Sequence, residues 1–153
     1  MTHVIDGNAV AESVRDDVRA AIDELEAEGV TPGLATVLMG GDDGSATYVA
    51  MKQRACDEDG IDGTTVEIDP EEPAEALYEV IDDLNADPAI HGILVQMPLP
   101  EHVPKPEVLS RVDPLKDVDG FHPENVGRMV SGNPRCKPCT PHGIPKLLAS
   151  TDA

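Results

Sequence analysis

Large aromatic side chains are almost absent from this sequence. Its 153 residues include no tryptophan, one phenylalanine (Phe121) and two tyrosines, Tyr48 and Tyr78. Because 40% of the residues are hydrophobic, the chain is still apolar enough to bury a core, and that core must consist of Val, Ile, Leu, Ala and Met. The few aromatic rings are therefore informative wherever they occur.

Basic residues are scarce as well. Eleven Lys and Arg face thirty Asp and Glu, so the net charge is −19, which disfavours nucleic acid or an anionic membrane as a partner. The acidic residues are spread along the chain between periodic apolar segments, which argues against an acidic tail and against disorder. The composition best fits a protein of very salty cytoplasm, where salt screens self-repulsion.

Long apolar runs are missing too. No run approaches the roughly 20 residues that span a bilayer, and the amino terminus lacks the basic and apolar pattern of a signal peptide. We therefore expect a soluble, cytoplasmic protein.

Cysteine is limited to Cys56, Cys136 and Cys139. An odd and low count argues against a disulfide framework. Cys136 and Cys139 have CxxC spacing, but zinc needs two more ligands, and His122 and His142 are the only candidates nearby. The βαβ context of a thioredoxin motif is also missing. We expect no metal and interpret the two thiols as buried or half-buried.

Apolar periodicity divides the chain into helices and strands. Residues 8–28 place apolar side chains at helical spacing, and residues 34–39 form a short run rich in β-forming residues. The order of elements predicts a layered α/β/α domain with a mainly parallel sheet. The other predicted elements are a loop at 40–44, a helix capped by Ser45 and running to about Asp59, a strand at 64–69, a helix at 74–85, a strand at 92–95, a helix at 105–111, a loop-like stretch at 112–128, and a last helix with Thr140 as cap and Pro141 at its first position.

Polar side chains follow two of the predicted strands. In parallel sheets, sites lie beyond the carboxyl ends of the strands. The first strand leads into a helix that carries Tyr48 and Lys52 one turn apart, which puts both on one helical face. The third strand leads directly into Gln96 and Pro98. We therefore expect these residues at one rim of the sheet.

Each of these residues has a chemical and an ordinary interpretation. Lys52 beside an aromatic wall suits a base or proton shuttle, but a solvated surface lysine has the same pattern. Tyr48 can stack on a flat ring or be half-buried, whereas Gln96 at the end of an apolar strand needs hydrogen-bond partners. Asp117 and Asp119, in KDVDG, suit either the paired N–H groups of an amino-pyrimidinone edge or simple turn formation.

Five motifs carry a family resemblance. They are, in order, PGLATVLMGGDD, SATYVAMKQRAC, GILVQMPLP, PLKDVDGFHPENVGRM and PCTPHGIPKLL. From Ile5 to Leu148 the chain resembles the amino-terminal, folate-binding domain of bifunctional methylenetetrahydrofolate dehydrogenase/methenyltetrahydrofolate cyclohydrolase. The resemblance implies oxidation of 5,10-methylenetetrahydrofolate with NADP, then hydrolysis of the methenyl product to 10-formyltetrahydrofolate.

The resemblance also implies roles for particular residues. Lys52 matches the catalytic lysine and Gln96 its partner, Tyr48 faces the pterin, Asp119 binds the amide and amino edge of the pterin, and Pro98 lines the pocket. Tetrahydrofolate derivatives are the implied substrates, and a homodimer is implied as well.

Two departures from the family pattern change what we expect. The loop GGDDGS is one residue shorter than the family's and lacks its proline, and the family's GRSxxVGxP loop for NADP does not occur. We expect residues 1–149 to be the folate-binding catalytic domain and 150–153 a linker start or truncated end, with the family's second, Rossmann-type NADP domain absent. The isolated chain should then lack dehydrogenase activity. The alternative is a folate-binding module without turnover.

Overall fold

The computed structural model describes residues 4–40 and 43–151. Helices and parallel strands alternate through most of this part of the chain, and three shorter helices follow the last strand. The elements are α1 (Gly7–Ala27), β1 (Gly33–Met39), α2 (Asp43–Asp59), β2 (Asp62–Ile68), α3 (Ala74–Ala86), β3 (Gly92–Val95), α4 (Lys105–Arg111), α5 (Pro123–Val130) and α6 (Cys139–Ala149).

The strands form one sheet in the order β2-β1-β3, and both pairings are parallel. In the register, Met39 pairs with Ile68 and Val37 pairs with Val95. The predicted α/β fold with a mainly parallel sheet is thus confirmed. Because all three strands run the same way, their carboxyl ends meet at one edge of the sheet, where ligand sites of such folds lie.

The core is aliphatic, as the shortage of aromatic residues predicts. The central strand β1 is the most deeply buried, and α3 packs on it with Leu77 and Ile81, which are both fully buried. Burial of aliphatic side chains at both faces of β1 explains why GLATVLM is almost continuously apolar. The buried core cluster comprises Ala35, Val37, Met39, Leu77, Ile81, Ile90, Ile93, Val95, Val103, Val108 and Val112.

A buried carboxylate ties α1 to α2. Asp59, at the end of α2, accepts hydrogen bonds from Arg15 Nε at 2.7 Å and from Arg19 Nε at 2.8 Å. The hydrogen bond from Arg15 is the main reason why the pKa of Asp59 lies below its usual value. The two ion pairs fix the carboxyl end of the helix that carries Lys52.

Two helix starts differ from the sequence predictions. Gly41 and Asp42, in the loop predicted at 40–44, lie outside the described residues. The helix that follows begins at Asp43, so Ser45 is inside α2 and is not its cap. Similarly, α6 begins at Cys139 after Pro138, so Thr140 and Pro141 lie within its first turn.

The loop-like stretch predicted at 112–128 contains a helix, α5. Pro123 occupies its first turn, and the His122 side chain caps it by accepting a hydrogen bond from the Glu124 N–H at 3.0 Å. Proline is favoured at that position because it has no N–H to leave unpaired. Pro123 therefore starts a helix here, whereas the sequence predicted a loop-like stretch over 112–128.

Candidate active site

Lys52 and Gln96 meet at the carboxyl edge of the sheet. The Lys52 ammonium donates a hydrogen bond of 2.9 Å to Gln96 Oε1, although the residues are 44 apart in sequence. Lys52 comes from the third turn of α2 and Gln96 from the residue after β3. Both side chains are half-buried. The pair is therefore a polar group placed by two neighbouring strands and partly removed from water.

The orientation of the Gln96 amide follows from its partners. Its Nε2 donates to the Met97 carbonyl at 2.7 Å, and a carbonyl can only accept. Oε1 therefore faces Lys52, whose ammonium can only donate. The backbone N–H of Gln96 is itself bonded to the Val37 carbonyl at 2.8 Å, which anchors this residue to β1.

Pro98 follows Gln96 by two residues in the segment after β3. It is exposed, and the Met97–Pro98 peptide bond is cis. A cavity of about 520 Å³ adjoins it and is mostly apolar. Its lining consists of Met97, Pro98, Leu99, Pro100, Glu101, Val103 and Lys105.

Tyr48 lies one helical turn before Lys52 on α2, and its residue surface is 63% exposed. The ring is therefore open to solvent at the same rim. That exposure leaves a flat aromatic face available for stacking against a planar ligand.

Asp119 places a carboxylate within electrostatic range of Lys52. Burial raises the pKa of Asp119 above its ordinary value, the charge of Lys52 opposes that rise, and the charge of Asp117 adds to it. A partly desolvated carboxylate beside a cation is a strong hydrogen-bond acceptor when ionised. The candidate site thus consists of the Lys52–Gln96 pair and the Asp119 carboxylate, on which the Lys52 charge acts. Tyr48 shares α2 with Lys52, and Pro98 shares the segment after β3 with Gln96.

Asp117 has a different task from Asp119. It is buried, and its carboxylate accepts hydrogen bonds from the N–H groups of Gly120 and His122, both at 2.9 Å. Gly120 has a φ of 70°, which favours glycine, so the turn after Asp119 is closed on Asp117. The turn-forming interpretation therefore applies to Asp117, whereas the charge of Lys52 acts on Asp119.

The segment before Asp119 is attached to β3 and α3. The Ile93 N–H donates to the Lys116 carbonyl at 2.7 Å, and a Cβ added at Gly92 would lie 2.6 Å from Val118 Cγ1. Glycine at the start of β3 thus lets the loop approach the sheet closely. The Lys116 ammonium caps the end of α3 by donating to the carbonyls of Leu84, Asn85 and Asp87 at 2.9, 2.8 and 2.7 Å.

The sequence analysis did not identify two residues that support this loop, Asn125 and Arg135. Asn125, only 1% exposed, donates to Asp117 Oδ2 at 2.8 Å and accepts from Arg135 at 2.8 Å. Recognition of His122-Pro123-Glu124 as a helix start would have placed Asn125 on α5, but no spacing rule reveals its partners.

Of the three cysteines, Cys56 is buried on α2 and Cys136 contacts this loop. Cys136 is half-buried and its thiol donates to the Asp117 carbonyl at 3.2 Å, whereas Cys139 is exposed, contrary to the prediction of two buried or half-buried thiols. Burial raises the pKa of Cys136, and the Asp117 charge raises it further. Across residues 4–40 and 43–151, no three His, Cys, Asp or Glu side chains group as metal ligands. In the same ranges, no helix is long and apolar enough to cross a membrane.

The fold and the rim group define a parallel α/β domain with a lysine–glutamine pair at the carboxyl edge of its sheet and a partly buried carboxylate within electrostatic range of that lysine. The family model for tetrahydrofolate dehydrogenase/cyclohydrolase, catalytic domain, matches residues 5–119. The chain belongs to this family.

Curated relatives agree over nearly the whole chain. Bifunctional protein FolD 2 of Haloarcula marismortui is 66% identical over 151 residues, which cover 99% of this chain and 51% of the relative. Bifunctional protein FolD 2 of Geobacter sulfurreducens is 50% identical over 148 residues, covering 97% and 52%. The chain thus spans about half the length of the curated relatives it matches.

Solved structures show the same domain. The bifunctional FolD methylenetetrahydrofolate dehydrogenase/cyclohydrolase from Campylobacter jejuni superposes with a TM-score of 0.92 at 38% identity, over 97% of this chain and 53% of that one. The methylenetetrahydrofolate dehydrogenase-cyclohydrolase (FolD) of Trypanosoma brucei, complexed with NADP cofactor and inhibitor, gives 0.93 at 36% identity, over 99% and 52%.

Proposed function

We propose that this chain supplies the folate site of a bifunctional enzyme of one-carbon metabolism. That enzyme oxidises 5,10-methylenetetrahydrofolate with NADP and hydrolyses 5,10-methenyltetrahydrofolate to 10-formyltetrahydrofolate. The observation that carries the proposal is the 2.9 Å hydrogen bond between Lys52 and Gln96, with Asp119 beside them. Membership of the family supports the same reaction.

The hydrolytic step needs a group that moves protons. Water adds to the methenyl carbon and loses both of its protons as its oxygen becomes the formyl oxygen. The bond from that carbon to N5 opens, N5 takes one of these protons, and the other is released to solution. Lys52 is the candidate for this task, since its ammonium is held at a fixed point by the oriented amide oxygen of Gln96. A positioned proton carrier typically contributes about 10²–10⁴-fold to a rate.

The remaining rim residues suit recognition of a pterin. Asp119, when ionised, can accept two parallel hydrogen bonds from the adjacent N–H groups of the pterin edge. Tyr48 offers an exposed ring face to the flat bicycle, and Pro98 offers an apolar wall. These residues hold and orient the substrate, and Lys52 acts on it.

The described residues do not fit NADP. A pyrophosphate needs a helix amino terminus presented through a glycine-rich turn. The turn from β2 to α3 is Asp69-Pro70-Glu71-Glu72-Pro73, which is acidic and closed by prolines. The sequence Gly40-Gly41-Asp42-Asp43-Gly44, which leads from β1 into α2, lacks GxGxxG spacing and carries two aspartates that would repel a pyrophosphate. We therefore assign NADP to a part of the enzyme beyond these residues.

We also propose a cytoplasmic enzyme adapted to high salt, acting on tetrahydrofolate derivatives as a homodimer. The charge of −19 and the relatives from Haloarcula, Haloquadratum, Halobacterium and Natronomonas support the salt adaptation. The homodimer is inferred from family resemblance alone.

Substitution of Lys52 tests the proposed function. The test protein is this chain joined to the second half of the Haloarcula marismortui FolD 2 protein, which is 66% identical over the shared half. Lys52→Met should abolish hydrolysis of 5,10-methenyltetrahydrofolate, followed by its absorbance, while binding of folic acid measured by calorimetry is largely kept. Lys146→Met, on the exposed face of α6, is the matched control and should keep full turnover.

The outcomes separate the two functional hypotheses. Normal turnover of Lys52→Met removes the catalytic role of this lysine. A parent fusion that binds folic acid but hydrolyses nothing would favour the alternative, a folate-binding module without turnover. Absence of folic acid binding by the parent fusion would refute both.

A further inference from the structure

We infer that Asn125 is a positioning residue for Asp119, which it serves by holding Asp117 and thereby the turn on which Asp119 sits. The inference rests on the proposed function, since it takes Asp119 as the residue that binds the pterin edge. Asn125 lies on α5 and is buried, so it can affect a ligand only through the turn that carries Asp119.

The Asn125 amide has a partner for each of its polar hydrogens and for its oxygen. Nδ2 donates to Asp117 Oδ2 at 2.8 Å and to the Pro114 carbonyl at 2.9 Å, and Oδ1 accepts from Arg135 at 2.8 Å. The residue is 1% exposed, so water cannot replace these partners. Only an asparagine-sized amide offers two donors and one acceptor in this arrangement.

Asn125 makes Asp117 a fixed point for the turn. The Asp117 carboxylate accepts from Asn125 and from the N–H groups of Gly120 and His122. Three donors offset the desolvation of a buried carboxylate. Without the Asn125 amide, one of its oxygens loses a donor in a site that solvent barely reaches, and the two backbone bonds lose their rigid acceptor.

The position of Asp119 is therefore fixed by contacts of its two neighbours in the chain, Val118 and Gly120. Before it, Val118 packs over Gly92, and after it the Gly120 N–H is bonded to Asp117. The direction of the Asp119 carboxylate follows from these two attachments. A misplacement of about 1 Å is enough to weaken a bidentate hydrogen bond seriously.

A double-mutant cycle on the 153-residue chain tests the inference, with folic acid binding measured by calorimetry in concentrated KCl. Asn125→Ala should weaken binding by about tenfold. In an Asp119→Ala background the same substitution should add less than about twofold, because its effect passes through Asp119. A merely structural role would give effects that add, and additivity would overturn the inference.

Two further variants guard against misfolding and general destabilisation. Arg135→Met alters a side chain with 29% exposure and should weaken binding in the same direction, by about threefold, again without additivity to Asp119→Ala. Asn85→Ala is the matched control, because its amide also bridges two backbone groups at 2.8 Å, at Arg111 and Asp113. It should leave folic acid affinity unchanged.

Hydrogen exchange makes the result independent of folate binding. In Asn125→Ala, the amides of Gly120 and His122 should exchange at least about tenfold faster than in Asn85→Ala. Unchanged exchange at both amides overturns the inference even if the chain binds no folate. Absence of folic acid binding in the parent chain refutes only the proposed function.

Discussion

At the scale of the residue, Asp119 combines two features that usually oppose each other. Burial raises its pKa, and the neighbouring charge of Lys52 favours the ionised form. The ionised carboxylate is the form that accepts hydrogen bonds from N–H groups. Affinity for a folate should therefore depend on whether Asp119 is ionised, and that links binding to pH.

We expect Asp119→Ala to weaken folic acid binding by about ten- to a hundredfold, since a hydrogen bond to a charged group contributes about 1.5–3 kcal/mol. In the parent chain, affinity should fall as pH falls through the raised pKa of Asp119, and the loss should begin at a higher pH than for an exposed aspartate. Calorimetric titrations across that pH range, in parallel on Asp119→Asn, provide the measurement.

The ratio of the two affinities isolates the carboxylate from the titration of folic acid itself. Asp119→Asn should bind weakly with no decline attributable to residue 119, so the ratio of parent to variant should fall towards acid pH. A constant ratio would show that Asp119 does not bind the ligand. Asp117→Ala should reduce affinity less than Asp119→Ala does, because its bonds go to the loop.

At the scale of the element, the Lys116 side chain connects the loop before Asp119 to the end of α3. Lys116 donates to three carbonyls around the carboxyl terminus of α3, where the helix dipole is negative. We expect Lys116→Met to reduce the free energy of unfolding by about 1–2 kcal/mol. Urea unfolding in concentrated KCl measures this change.

Lys105→Met is the control for that prediction. Lys105 is exposed at the first residue of α4, and its loss should change stability by less than about 0.5 kcal/mol. If the two substitutions reduced the free energy of unfolding equally, the loss of one positive charge would explain the effect, and the hydrogen bonds of Lys116 to α3 would contribute nothing.

The elements also show what the sequence can reveal. Lys52 and Gln96 are far apart in the chain, yet both follow strands, and the rule that parallel strands end at one edge places them together. The sequence analysis did not predict the helix α5, because Pro123 and Gly127 are typical of loops and histidine is an unusual helix cap. The bonds from Asn125 to Asp117 and Arg135 depend on how α5 packs, which no local pattern encodes.

At the scale of the whole molecule, the rim site is open. Tyr48 is 63% exposed, and Lys52 and Gln96 are only half-buried. The chain spans about half of its relatives, with 51% coverage of the Haloarcula marismortui FolD 2 protein. A ligand at this exposed rim is contacted by protein on one side only. We therefore expect the isolated chain to bind folates weakly and to hydrolyse 5,10-methenyltetrahydrofolate slowly.

The 153-residue chain by itself should show no saturable binding of NADP and no dehydrogenase activity. The turn from β2 to α3 is acidic and closed by prolines. The sequence Gly40-Gly41-Asp42-Asp43-Gly44 after β1 lacks GxGxxG spacing and carries two aspartates that would repel a pyrophosphate. Calorimetric titration with NADP and with folic acid, in concentrated KCl that screens the charge of −19, gives the two affinities. The fusion to the Haloarcula second half should bind both ligands and serves as the positive control. Saturable NADP binding to the isolated chain would place a dinucleotide site within these residues and contradict the assignment of the cofactor to the rest of the enzyme.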